Sequence, residues 1–151
     1  TDSLTFCLSK GLCSPVGSIL CGSEEFINKA RKMRKLLGGG MRQAGILAAC
    51  GIISIEKMSK RLYEDHDNAK YMAGKLNEIE GFHVNMDKVQ TNLIFCQIKK
   101  EGFNPEEFQS KLFNKGIKIG GYEFDSIRFV TNNDVKKEDI DYTISVIKEI
   151  L

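Results

Sequence analysis

No apolar run in the 151 residues approaches the roughly 18 needed to cross a bilayer, so no membrane partner is expected. The opening Thr1-Asp2-Ser3 has neither the charged n-region nor the apolar h-region of a signal peptide. It also lacks an initiator Met and leads straight into a strand-like run, as a fragment would. Repeats and low-complexity segments are missing. Histidine is scarce: His66 and His83 stand alone on polar stretches, without metal or triad partners at useful spacing, and read as surface residues. No metal is expected. The five cysteines are odd in number and none has zinc-ligand spacing. A disulfide framework is therefore disfavoured, and a reducing, cytoplasmic compartment is expected. Cys7, Cys21, Cys50 and Cys96 lie in apolar runs and read as small core residues.

What is present is a globular composition, 42% apolar and 28% charged, long enough to bury a core without staples. The charge is uneven. Residues 1–60 carry nine Lys/Arg against four Asp/Glu; residues 61–151 carry thirteen against sixteen. Lys29, Arg31, Lys32, Arg34, Lys35 and Arg42 follow in close succession. A solvated helix face, a nucleic-acid patch or a site for a phosphorylated small molecule would each explain them. No aromatics interleave these cations, which argues against single-stranded nucleic acid.

The pattern along the chain predicts alternating elements. Residues 4–8 read as a buried strand, 11–15 as a turn and 16–21 as a second strand. Ser23 is an N-cap, with Glu24 and Glu25 in the first turn of a helix that ends at Gly38-Gly39-Gly40. A helix starting near Met41 is apolar almost all round from Ala44 to Ile55. Such a helix is expected inside a core or under a subunit interface. A third, charged helix over 59–78 reads as a solvated connector. Beyond Gly81 come a strand over 91–98, a helix over 104–114 with Asn104 as N-cap and Pro105 at its first position, strands over 117–119 and 126–131, and a closing helix over 136–151. The expected fold class is α/β, with a boundary near residue 65 separating 1–65 from 66–151.

Three features carry possible chemistry. Lys10 follows an apolar run and precedes Gly11. A strand-end lysine that is partly desolvated becomes a nucleophilic amine, as Schiff-base formation requires. The alternative is a lysine snorkelling from a strand end. The Gly38-Gly39-Gly40 loop could present free N–H groups to a phosphate or carboxylate, or could simply link two helices. Arg128, the only arginine after residue 61, sits within a strand. It wants an anionic ligand or an internal partner such as Asp125 or Asp134.

Together these segments resemble one family. Ser3-Leu4-Thr5-Phe6-Cys7-Leu8-Ser9-Lys10-Gly11-Leu12 and Pro15-Val16-Gly17-Ser18 look like the pyridoxal-phosphate (PLP) lysine segment of threonine aldolases. Arg34 to Gly45, containing Gly-Gly-Gly-Met-Arg-Gln, looks like the family's next signature block. Glu64 to Ala69, Gln90-Thr91-Asn92 and Ile127-Arg128-Phe129-Val130-Thr131 match its connecting helix, its small-domain strand entry and its arginine strand. The blocks occur in order and span nearly the whole chain.

The resemblance implies the C-terminal portion of a PLP-dependent fold of the aspartate-aminotransferase type. Residues 1–65 would then be the end of the large domain, and 66–151 a small C-terminal α/β domain. It implies a lyase that splits L-threonine or L-allo-threonine into glycine and acetaldehyde, working as a homotetramer. By residue, it implies that Lys10 bears the PLP imine and Arg128 grips the substrate carboxylate. Lys35 would serve substrate binding and Arg42 cofactor binding. The family's N-terminal half has no counterpart among these residues, so the chain alone is expected to be inactive. Asn132 stands where many members carry histidine. Another PLP lyase or aminotransferase of the same superfold, or a non-catalytic oligomerisation module, are the competing readings.

Overall fold

The computed structural model describes residues 1–123 and 125–151. Two compact units emerge, Thr1–Leu62 and Tyr63–Leu151.

In the first unit, β1 (Ser3–Cys7) pairs antiparallel with β2 (Ser18–Gly22), with Thr5 opposite Leu20. Helix α1 (Glu24–Leu36) starts where Ser23 Oγ accepts the Phe26 N–H, as its capping residue predicts. It ends in a double C-terminal cap. Gly39 N–H donates to Arg34 O (2.8 Å) and Gly38 N–H to Lys35 O (3.2 Å), with Gly38 at φ +79°. Helix α2 (Gly45–Glu56) follows, four residues later than the pattern near Met41 suggested. The offset arises because Gln43 adopts a left-handed φ of +51°, which interrupts helical geometry.

Burial in this unit departs from expectation. β1 was expected to be buried, yet Leu4 is exposed, because the two-stranded sheet has nothing packed over that side chain. Cys7 and Cys21 are exposed for the same reason, and Cys50 is half-buried. On α2 only Gly51 and Ser54 are buried, while Ile46 and Ile52 are 74% and 56% exposed. The buried set of the unit is Leu8, Ser14, Gly51 and Ser54.

The second unit has a conventional core. A short 3-10 turn at Met58–Arg61 precedes α3 (Leu62–Asn77), which buries Asp65, Ala69, Met72, Ala73 and Leu76. The expected solvated connector is thus a core helix: apart from the buried Asp65, its charged residues are exposed or half-buried, and the 3.6-residue apolar stripe faces inward. The sheet order is β3-β4-β6-β5, all antiparallel: β3 (Phe82–Val84), β4 (Leu93–Ile98), β5 (Tyr122–Glu123) and β6 (Ser126–Val130). Along β4, Ile94, Cys96 and Ile98 are buried while Leu93, Phe95 and Gln97 are exposed. One face of the sheet is therefore covered and one is open. The covered face meets Leu76 of α3, Phe108 and Leu112 of α4 (Pro105–Asn114), and Ile140, Ile144 and Ile147 of α5 (Lys137–Ile150). Asn104 Oδ1 caps α4 by accepting the N–H groups of Glu106 and Glu107.

Residues 117–119 do not form the expected strand. Gly116 turns the chain at φ +80°, and ladder pairing begins only at Tyr122, opposite Ile127. β3 is an addition: three residues are too few to show alternation.

Candidate active site

Lys10 lies on the turn between β1 and β2. Cys13 N–H donates to Lys10 O (2.8 Å), Ser14 N–H to Leu8 O (2.9 Å) and Leu8 N–H to Gly17 O (2.9 Å), so the turn is internally braced. Cys13 adopts φ +58°, a left-handed value that costs a non-glycine residue and needs surrounding bonds to hold it. Two contacts fasten this turn to α2. Leu8, 6% exposed, packs beside Gly51, where an added Cβ would come within 3.1 Å of Leu8 Cδ1. One helical turn on, the buried hydroxyls of Ser14 and Ser54 lie 2.8 Å apart in a hydrogen bond. The lysine itself is exposed rather than partly desolvated, because the apolar run before it is open to solvent. Among the described residues no hydrogen bond or ion pair engages its amine.

Lys35 and Arg42 flank the glycine loop, and both are exposed. The N–H groups of Gly38 and Gly39 are spent on capping α1, so they are not free donors for an anion, and the loop is a built terminus rather than a loose link. Gly40 has its own reason to be bare: a Cβ there would stand 3.1 Å from Lys35 Cδ. The loop thus guides the Lys35 stem.

Arg128 belongs to the second unit. It sits in β6 opposite Phe95 of β4 and is half-buried. Its Nε is buried and has no hydrogen-bond partner among the described residues. Among the described residues no ion pair joins it to Asp125 or Asp134, both exposed, so the internal-partner alternative finds no support there. The strand is anchored at its end. Thr131, 1% exposed, donates from Oγ1 to Asp65 O (2.6 Å) and from its N–H to Asn92 O (3.1 Å). It accepts at its carbonyl from Asn92 Nδ2 (2.7 Å). Three separated sequence blocks, around Asp65, Asn92 and Thr131, thereby meet at one buried threonine.

Ser14, Gly51, Ser54 and Asn92 did not stand out by residue type. The available signal for two of them was a glycine and a serine three apart in an otherwise aliphatic helix, which marks a face built for close approach. His66 is half-buried and His83 exposed. Among the described residues no group of three or more His, Cys, Asp or Glu could hold a metal ion, and no helix is long and apolar enough to cross a membrane.

The family model for beta-eliminating lyases matches residues 1–99. Low-specificity L-threonine aldolase 1 of Arabidopsis thaliana is 38% identical over 99% of this chain and 42% of its own length. The low specificity L-threonine aldolase of Escherichia coli K12 is 41% identical over 92% of this chain and 40% of its own. The chain thus spans about two fifths of these relatives. Among solved structures, a candidate L-allo-threonine aldolase from Listeria monocytogenes superposes with a TM-score of 0.76 at 17% identity, covering 99% of this chain and 45% of that one. Serine palmitoyltransferase of Sphingomonas wittichii gives 0.77 at 11%, covering 99% and 39%. At such identities the likeness establishes the fold, the C-terminal portion of the aspartate-aminotransferase-type α/β architecture. With the family model covering well over half of the residues and relatives above 30% identity matching nearly all of them, this chain belongs to the beta-eliminating lyase family.

Proposed function

We propose that the chain is the C-terminal part of a PLP-dependent threonine aldolase that cleaves L-threonine or L-allo-threonine into glycine and acetaldehyde. The observation that carries this reading is the Lys10 turn. It presents an exposed amine with no partner among the described residues, on a loop braced by its own backbone and fastened to α2. An amine already held by a carboxylate would be a poor anchor for an aldehyde. Lys10 therefore fits the covalent lysine of such a cofactor. When bound, PLP supplies the electron sink for carbon–carbon cleavage.

The chain's own residues do the rest. Lys10 would hold the cofactor through its aldehyde carbon. Arg128, with its two terminal nitrogens, grips the substrate carboxylate. With the substrate nitrogen held at the cofactor site, a two-point grip on the carboxylate would fix rotation about the N–Cα bond and so present the Cα–Cβ bond for cleavage. Lys35 serves substrate binding and Arg42 cofactor binding, supplying cations for carboxylate and phosphate. Residues 1–65 end the large PLP-binding domain, and 66–151 form the small domain. The cups for the cofactor phosphate and ring come from a preceding segment, so the 151 residues alone are expected to be inactive. The complete protein works in the cytoplasm.

The aliphatic surface of α2 favours an accompanying reading: a homotetramer in which another subunit covers this helix. The exposure of Ile46, Ile52, Ile53 and Ile55 supports it.

Borohydride reduction of the full-length protein loaded with PLP tests the assignment. The label should map to the peptide containing Lys10; label on a different lysine would overturn it.

A further inference from the structure

Arg128 has an unusual neighbour. The N–H of Gly120 donates to the carbonyl of Arg128 (2.9 Å), closing the chain onto β6 just before β5 begins. At this point the backbone comes so near that a Cβ on Gly120 would lie 2.6 Å from Arg128 O, 3.0 Å from its Nε and 3.1 Å from its Cβ. All three clashes fall on one residue. The first is with backbone, which cannot swing aside as a flexible side-chain tip can. The next residue behaves quite differently: a Cβ on Gly121 meets nothing within 4 Å.

We propose that Gly120 is a positioning residue for the Arg128 guanidinium, a role that rests on the carboxylate-binding reading above. Its bare Cα lets the chain close over Nε, which is buried and has no hydrogen-bond partner among the described residues. That burial removes one edge of the fork from ligand contact. An incoming carboxylate must then be met end-on by the two terminal nitrogens. It also limits side-chain torsions: rotating the stem would drive Nε into the Gly120 backbone or expose it. The arginine is pre-aimed before ligand arrives, so less rotamer freedom is lost on binding. On the other side of β6 the cross-strand neighbour is Phe95, which offers no charge to compete for the fork.

The steric requirement is specific to alanine-or-larger at 120. A methyl group there must displace β6 at Arg128 or push the guanidinium out of line. Displacement on the order of 1 Å of a group that orients substrate costs up to about a hundredfold.

The test is a titration of the PLP-loaded, full-length enzyme with glycine, followed by cofactor absorbance, in six proteins: wild type, Gly120→Ala, Gly121→Ala, Arg128→Lys, Arg128→Ala and the Arg128→Ala/Gly120→Ala double variant. Gly120→Ala should weaken glycine binding by about tenfold or more and raise KM for threonine more than it lowers kcat. The absorbance without ligand should be unchanged. Gly121→Ala should titrate as wild type. In an Arg128→Ala background, Gly120→Ala should add little further loss, since it acts through the same residue. Wild-type titration of Gly120→Ala, an equal loss in Gly121→Ala, or loss of the cofactor absorbance in Gly120→Ala would each overturn the positioning role. Wild-type titration of Arg128→Lys would instead remove the carboxylate-binding reading beneath it.

Discussion

Leu76 in α3 and Ile46 in α2 are both aliphatic residues on helices of ordinary length, yet Leu76 is fully buried and Ile46 is 74% exposed. Their helices differ in pattern. Helix α3 carries one apolar stripe, and its unit supplies one sheet face to cover that stripe. Helix α2 is apolar all round, and its own unit covers only Gly51 and Ser54. A stripe specifies a single partner that the same unit can provide. An all-round apolar surface needs cover on every side, and its own unit leaves most of this one exposed. The second unit is thus built as a self-sufficient core, and the first as a platform whose apolar surface exceeds what it can bury.

The contrast can be broken or sharpened experimentally. The largest effect is expected on assembly. Ile52→Glu in the full-length protein should lower the oligomer mass seen by light scattering; an unaltered, active oligomer would show that α2 faces elsewhere. Next comes the core. Leu76→Ala should cost about 2–5 kcal/mol in denaturant unfolding of the 151-residue chain, while Ile46→Ala should stay within roughly 0.5 kcal/mol. Equal costs would erase the distinction between the units. A smaller loss, about 1 kcal/mol, is expected for Asn92→Ala, which removes the side-chain bond to Thr131 O.

The smallest effect is one of reactivity alone. Burial pushes the Cys96 thiol up to about 12, so at pH 8 it remains protonated as well as inaccessible, whereas Cys7, Cys13 and Cys21 are exposed. A thiol reagent should label those three in the folded chain and spare Cys96 until it unfolds. Rapid labelling of Cys96 would mean that the second unit is loose.

How far the sequence carried depends on the range of the interaction. Helix α4 was legible because its start is set by adjacent residues, Asn104 accepting two N–H groups and Pro105 needing to donate none. α1 was legible through Ser23 for the same reason. Burial of β1 was not, since an apolar run states a demand for cover without saying what covers it. The strand expected over 117–119 failed because pairing is settled across the sheet, where the ladder opens only at Tyr122. At the candidate site, residue type and surrounding segment were enough to single out Lys10 and Arg128 as candidates. Gly120 and the Ser14–Ser54 bond were not: each acts by close approach between residues distant in sequence. The glycine loop was half-read. Its clustering was visible, but the use of its N–H groups as a cap for α1 emerges only from the geometry.

The attachment of the Lys10 turn to α2 has a mechanical consequence. A loop held at one point can swivel about it. Held at two points, Leu8 against Gly51 and Ser14 against Ser54, it has a fixed heading as well as a fixed place. The Lys10 turn therefore rides on the helix as a tool rides in a two-screw clamp. Tilt or slide α2, and the heading of the turn that carries Lys10 changes with it.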